Sequence, residues 1–303
     1  MFKIYSGIDE AALGPILGPY CCTLVSFDVP NDGELFDIFS ELKEIKINDS
    51  KKLYISGKSI KDLENTALSF FSSFFKTQPE TLSDLLSELL IEKKYLNQLS
   101  AIPWFNKIKH LKLPIACDNL QIQKNTESLN EFLLKKQLKI SKIKVDIVSA
   151  ERFNSILSEG HNKSQCCQKI LTPLIMESLS AQSRLTVDRQ GGRRYYGEWL
   201  VEMYTGSPIS INRETKDLSS YNIHDSVIQF QVKGDEKYLE TALASIFSKY
   251  IRELMMICFN DYWEDITPGI KKTAGYPQDG KRFINDLTSR SVAYEKNKLI
   301  RQK

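Results

Sequence analysis

The chain has 303 residues, of which 42% are hydrophobic and 26% are charged, and this composition excludes an intrinsically disordered protein. Its 41 lysines and arginines against 38 aspartates and glutamates leave a net charge of +3, which does not by itself indicate nucleic-acid binding. No stretch approaches the roughly 18 apolar residues of a membrane-spanning helix, and the N-terminus lacks the apolar core of a secretion signal. We therefore expect a cytoplasmic protein that does not associate with a membrane.

The strands that we predict are rich in β-branched, aromatic and other apolar residues and are bounded by glycine, proline or charged residues. They cover residues 2–9, 20–29, 143–149, 185–188 and 226–232. The first of them ends on Asp9 and leads into a loop that contains Gly14, Pro15, Gly18 and Pro19.

Apolar residues at helical spacing predict helices between these strands. The predicted helices cover residues 34–48, 59–76, 166–183 and 239–259. Strands that come first and then alternate with helices are typical of an α/β fold, with a mixed sheet flanked by helices.

Residues 77–140 differ in composition from the rest of the chain, because they combine leucine-rich and lysine-rich helical segments with a break at Pro103-Trp104. We predict an inserted helical segment that adds surface and core, which we favour over a lid. The predicted catalytic domain then comprises residues 1–76 and 141–290. Residues 291–303 form a basic C-terminal tail that we expect to fray.

Six cysteines and three histidines give no sign of a zinc site. No two cysteines show the C-x-x-C spacing of a zinc ligand pair, and we expect reduced thiols. None of the histidines shows ligand spacing either. The residues concerned are Cys21, Cys22, Cys117, Cys166, Cys167, Cys258, His110, His161 and His224. Phosphate loops and dinucleotide-binding glycine motifs are also absent from the sequence, so we expect no nucleotide cofactor.

Four acidic residues follow β-like runs and lie close to glycine: Asp9, Glu10, Asp188 and Asp235. Sites in open sheets form at strand ends, where these carboxylates would repel each other unless a divalent cation were bound. Oxygen ligands of this kind suit Mg²⁺ or Mn²⁺. For any single one of these residues the alternative is a turn aspartate that bonds to its own backbone.

The opening block, Gly-Ile-Asp-Glu-Ala-Ala-Leu-Gly-Pro at residues 7–15, resembles the first block of the ribonuclease HII family, G-x-D-E-A-G-R-G-P. Further blocks resemble that family in the same order along the chain. They lie at residues 18–19, 49–53, 148–154, 187–188, 233–235, 244–253 and 275–276.

This resemblance implies a ribonuclease H-like fold and an endoribonuclease that cleaves the RNA strand of RNA–DNA hybrids, leaving 3′-hydroxyl ends. It implies that Asp9, Glu10, Asp188 and Asp235 are the catalytic residues and hold Mg²⁺ or Mn²⁺. The substrate-binding positions that it implies are Ala12, Leu13, Gly14, Lys51, Lys52 and Tyr276.

The sequence departs from the family in the loop where the family has G-R-G and this chain has Ala12-Leu13-Gly14. The change removes a guanidinium and restricts the backbone. Glu253 stands where aspartate is usual, and Pro277 begins a segment without the family's threonine and histidine. Two alternatives therefore remain open: a nuclease with a changed nucleic-acid substrate, and a non-catalytic nucleic-acid-binding or protein-binding module.

A basic and aromatic cluster follows Asp188. Basic groups interleaved with aromatic rings are typical of a nucleic-acid groove. A loop whose arginines pair with nearby acids fits the sequence equally well. The cluster consists of Arg189, Arg193, Arg194, Tyr195 and Tyr196.

Overall fold

The computed structural model describes residues 3–30, 33–47 and 59–302, and within these residues a seven-stranded sheet forms the centre of the protein. The strands are β1 Ile4–Ala11, β2 Tyr20–Asp28, β3 Lys139–Val148, β4 Ser183–Asp188, β5 Ile209–Glu214, β6 Leu218–Ile223 and β7 Ser226–Gln231. Their order across the sheet is β3-β2-β1-β4-β7-β6-β5. β1 is parallel to β4 and β4 is parallel to β7, whereas the other neighbouring pairs are antiparallel.

Helices flank this sheet, and the predicted α/β fold with a mixed sheet is confirmed. The first helices are α1 Leu35–Phe39, α2 Lys61–Phe75, α3 Leu82–Leu89, α4 Lys94–Ser100, a 3₁₀ helix Pro103–Lys109, α5 Asn119–Lys136 and α6 Ala150–Ser158. The later helices are α7 Lys163–Ser178, α8 Gly197–Met203, α9 Gly234–Lys237, α10 Leu239–Ile266, α11 Pro277–Ser289 and α12 Lys296–Leu299. No helix of the described ranges is both long and apolar enough to cross a membrane.

The sheet separates two apolar cores, because successive side chains of a strand point to opposite faces. In β2, Cys21 and Val25 join a large core with α10, whereas Cys22 and Leu24 join a second core with α7. β2 is therefore buried on both faces, which explains its nearly continuous run of apolar residues.

Helix α10 is the longest of the described helices and lies directly on β1. A Cβ atom placed on Gly7 would come within 2.3 Å of the backbone of Glu240 and Thr241. Glycine is therefore required here, since only a residue without a side chain allows the helix to come this close to the strand. This contact fixes the helix against the strand that carries Asp9.

Several elements differ from the sequence-based expectations. The helix predicted over 34–48 is shorter and covers Leu35–Phe39, and the helix predicted over 166–183 covers Lys163–Ser178. The sequence analysis did not predict β5, β6 and α8, because they are short and β5 is exposed along most of its length. The block at 49–53, with Lys51 and Lys52, lies outside the described residues.

The segment 77–140 contains helices α3, α4 and α5, the 3₁₀ helix and the first residues of β3. It does not stand apart from the rest of the chain, because Leu85, Trp104 and Ile122 belong to the same core as α10. The division of the chain into a catalytic part and an insertion stays a prediction.

The expectation that the basic C-terminal tail frays is wrong for its described part. The tail forms α12, and Arg301 is only 3% exposed. Asn154 on α6 holds the tail, because its amide donates to the carbonyls of Asn297 and Ile300 and its oxygen accepts from the Gln302 amide.

We expect Gly7→Ala to lower the free energy of unfolding by about 1–3 kcal/mol, because the new methyl group forces α10 away from β1. Gly14→Ala is the matched control, since a Cβ there meets no atom within 4 Å. Urea unfolding of both variants measures the difference. Equal stability of the two variants would contradict the close packing of α10 on β1.

Candidate active site

The parallel pairing of β1 and β4 brings Asp9 and Asp188 to the same edge of the sheet. Ile8 is the partner of Val187 in this pairing, and each acidic residue follows its strand's paired residue directly. Since both strands run in one direction, their carboxyl ends meet, which is where open sheets build sites.

Asp235 comes to this edge through the next parallel strand. β7 pairs with β4 such that Asp188 is opposite Gln231. Lys233 then takes a left-handed conformation with φ of 56°, which turns the chain into α9. The Gly234 amide donates to Asp188 Oδ1 at 2.7 Å. Asp235 follows this glycine directly and is 5% exposed.

Glu10 is held by a hydrogen-bond bridge to the strand beside it. The Gln190 side-chain amide donates to Glu10 Oε2 at 3.0 Å and to the Tyr20 hydroxyl at 2.5 Å. Gln190 lies in the loop after Asp188, so one residue links the ends of β4, β1 and β2. This contact restricts where the Glu10 carboxylate can point.

Asp9 is anchored from helix α10. The Ser245 hydroxyl forms a hydrogen bond with the Asp9 carboxylate, and the Ser248 hydroxyl donates to the Asp9 carbonyl at 3.0 Å. Residues three apart share a helix face, so α10 presents both hydroxyls to β1. The Asp9 carboxylate also accepts from the Glu10 amide at 2.7 Å.

The four carboxylates repel one another in a setting with little water. Burial raises the pKa of Asp9 well above its usual value, and the charges of Asp188 and Glu10 raise it further. Burial also raises the pKa of Glu10 to about 8, with added repulsion from Asp188 and Asp235, although the Gln190 hydrogen bond opposes the shift. The arrangement favours any cation that neutralises this charge.

The donor set of the site consists of carboxylate oxygens, which are the ligands that Mg²⁺ and Mn²⁺ prefer. Within residues 3–30, 33–47 and 59–302, no three or more histidine, cysteine, aspartate or glutamate side chains form a group that could hold a metal ion. The match between this site and a divalent cation therefore rests on the oxygen ligands that the carboxylates offer and on the repulsion that a cation would relieve.

The loop predicted to bind substrate begins directly after β1. Ala12 has a left-handed φ of 71°, a conformation that costs a non-glycine residue about 1–2 kcal/mol. Leu13 is half-buried, and Gly14 is exposed. Leu13 lines a cavity of about 730 Å³ together with Gln190, so this loop lies beside the carboxylates.

Tyr276 is 49% exposed and precedes α11. The preceding residue, Gly275, accepts hydrogen bonds from the Ile16 and Leu17 amides at 2.8 and 3.2 Å, which places Tyr276 near the end of the same loop. Pro277 is the first residue of α11, so the segment that departs from the ribonuclease HII pattern forms a helix start.

Among the described residues, the arginines after Asp188 form no ion pair with an acid, whereas one of the two alternatives expected such pairs. Arg189 and Arg194 donate to backbone carbonyls of residues 214–216, and Arg193 donates to the Ser164 hydroxyl at 3.1 Å. Arg193 and Tyr195 line the cavity beside Leu13 and also a second cavity of about 880 Å³. These two adjoining cavities form a groove, along which Tyr195 is 63% exposed.

Sequence reasoning missed three residues that support the carboxylates: Gln190, Ser245 and Ser248. Ser245 and Ser248 lie in the block at 244–253 that resembles the family, and their spacing by three was a usable signal of a shared face. Gln190 had no such signal, because its role depends on Tyr20 and Glu10, which are distant in the chain.

No family model matches the chain, and a search of curated proteins found no match. Among solved structures, it is similar to the ribonuclease H2 of Pyrococcus horikoshii OT3, with 12% identity and a TM-score of 0.48 over 98% of this chain and 92% of that one. It is similar to the ribonuclease HII of Archaeoglobus fulgidus in a complex with PCNA, with 13% identity and a TM-score of 0.48 over 96% and 90%. It is also similar to the ribonuclease H3 of Aquifex aeolicus, with 13% identity and a TM-score of 0.45 over 99% and 71%.

We expect Asp9→Asn to raise the melting temperature in chelator by about 2–4 °C, because asparagine removes one of the repelling charges and keeps the residue's size. The same variant should lose most of the rise in melting temperature that Mn²⁺ gives the unsubstituted protein. Differential scanning calorimetry with and without Mn²⁺ measures both effects.

The control for this experiment is Asp217→Asn, an exposed aspartate outside the cluster. It should change neither quantity. An Asp9→Asn variant that gains the same stability from Mn²⁺ as the unsubstituted protein would contradict a role of Asp9 in holding the ion.

Proposed function

We propose that the chain is a metal-dependent endonuclease that hydrolyses the RNA strand of RNA–DNA hybrids and leaves 3′-hydroxyl ends. The observation that carries this proposal is that Asp9 and Asp188 lie at one edge of the sheet beside Glu10 and Asp235, where burial and like charge disfavour the ionised forms of Asp9 and Glu10. The motifs of these residues resemble those of the ribonuclease HII family.

In this proposal the four carboxylates hold Mg²⁺ or Mn²⁺, which would activate water and stabilise the leaving oxygen of a phosphodiester. Gln190 keeps Glu10 directed at the site, and Ser245 does the same for Asp9. The Gly234 amide donates to Asp188 Oδ1 and so helps to orient this carboxylate. These contacts orient the carboxylates before any substrate arrives.

The substrate would lie along the groove that begins at Leu13. Lys163, Arg193 and Arg194 line its first cavity and outnumber Glu198, so this part of the groove suits a phosphate backbone. Tyr195 offers an exposed ring on which a base can stack. Lys51 and Lys52 remain proposed phosphate contacts from the resemblance alone.

A second candidate function keeps the nuclease and changes its substrate. It is favoured by Leu13, which lines the cavity together with Gln190 and whose apolar side chain cannot donate to a 2′-hydroxyl. In this case the enzyme cleaves continuous hybrids or other nucleic acids better than a single ribonucleotide within DNA. Comparison of these substrates separates the two candidates, since a preference for the single ribonucleotide would contradict the second.

We expect purified protein to cleave a labelled RNA–DNA hybrid with Mg²⁺ or Mn²⁺, and Asp188→Asn to lower kcat at least about 100-fold, since a metal ligand is worth several kcal/mol in the transition state. Gel analysis of the products measures the rate and the 3′ ends.

Asp217→Asn is again the control and should cleave at the unsubstituted rate. Full activity of Asp188→Asn would overturn the assignment of the site. Absence of cleavage of every nucleic acid, with both metals, would favour a binding module.

A further inference from the structure

Arg301, in the C-terminal tail, contacts the loop that follows β1. Its guanidinium donates to the carbonyls of Ala12, Leu13 and Pro15, and its backbone amide donates to the Ile16 carbonyl at 2.8 Å. Arginine suits this task because its planar fork of donors can bind several carbonyls at once. The side chain thus contacts three carbonyls of residues 12–16, and the backbone amide of Arg301 contacts a fourth.

Arg301 is buried without a compensating acid. Among the described residues it forms no ion pair with a carboxylate, and its Nη1 atom has no hydrogen-bond partner. Burial lowers the pKa of Arg301 to about 10, which still leaves the group charged at pH 7. Burying a cation in this way is costly, so its contacts with the loop carbonyls are the compensation that the fold provides.

The loop that Arg301 binds needs such support. Ala12 has its φ of 71° in the left-handed region, which a non-glycine residue keeps only when the surrounding structure holds it there. The carbonyl of this same residue accepts a hydrogen bond from Arg301 Nη2. The guanidinium therefore stabilises the backbone conformation that directs Leu13 toward the cavity.

A second route connects Arg301 to the carboxylates. Its guanidinium lies 5.8 Å from the centre of the Tyr20 ring and 5.2 Å from that of Phe153, which are cation–π distances. The Tyr20 hydroxyl accepts the hydrogen bond from Gln190 that also holds Glu10. Arg301 thus contacts both the loop and the residue that anchors the Gln190 bridge.

We propose that Arg301 is a positioning residue of the active site, through which the C-terminal tail sets the conformation of the loop at residues 12–16 and the direction of Glu10. The catalytic part of this inference rests on the proposed nuclease function. The part that concerns the loop conformation does not depend on it.

Hydrogen exchange tests the loop without any assumption about activity. In Arg301→Ala, the amides of Ile16 and Leu17, which bond to the Gly275 carbonyl, should exchange at least about tenfold faster, while the amides of β7 keep their rates. Asn154→Ala removes the hydrogen bonds that hold the tail but does not substitute Arg301. It should also speed the exchange of the Ile16 and Leu17 amides. Lys296→Ala, an exposed residue of the same tail, should change nothing.

Unchanged exchange in the loop would overturn the inference, because Arg301 would then not stabilise the loop. Equal acceleration throughout the sheet would also overturn it, because the substitution would then only lower global stability. Arg301→Lys keeps the charge and loses the several donors of the guanidinium, so it should restore only part of the protection of the Ile16 and Leu17 amides against exchange.

Cleavage kinetics supply the second readout. Arg301→Ala should lower kcat/KM at least about tenfold, mostly by raising KM, since the loop faces substrate and small misplacements are costly. Its affinity for Mn²⁺ should also fall, because Arg301 helps to direct Glu10, a proposed metal ligand. An unaltered kcat/KM in Arg301→Ala would overturn the catalytic part of the inference. If the unsubstituted protein cleaves nothing, the proposed function is refuted, and the exchange experiment alone decides the role of Arg301.

Discussion

The parallel alignment of β1, β4 and β7 is the constraint on which the site depends, because it forces Asp9, Asp188 and the start of α9 to one edge of the sheet. The fold thereby concentrates negative charge where burial makes it most unfavourable. Helix α10 and the Gln190 bridge fix the carboxylates in spite of their repulsion. Asp9, Glu10 and Asp188 thus each have a contact that orients the carboxylate.

The strand ends beside the proposed site residues were predictable from the sequence. Asp9, Glu10, Asp188 and Asp235 each follow a short apolar run, and strand ends are visible in sequence through the glycine and charged residues that succeed them. The strand β2 was predictable because it is buried on both faces and forms a nearly continuous apolar run in the sequence. Helix α10 was also foreseen, although it extends to Ile266.

The supporting contacts were not predictable, because they join residues that are far apart in the chain. Arg301 and Pro15 are separated by 286 positions, and the lysine-rich sequence around Arg301 is typical of a solvated end. The strands β5 and β6 escaped prediction because they are short and mix polar with apolar residues, and β5 lies exposed at the edge of the sheet. Local patterns report burial and periodicity, whereas these features depend on which distant segments meet.

The central claim is that the four carboxylates bind a divalent cation, and an equilibrium titration with Mn²⁺ followed by electron paramagnetic resonance tests it most directly. The free Mn²⁺ signal gives the number of ions bound by the unsubstituted protein and by Asp188→Asn. The account predicts one or two bound ions per chain, as in sites built from clustered carboxylates, and a clear loss of binding in the variant. Equal binding by both proteins, or no binding by either at millimolar Mn²⁺, would contradict it.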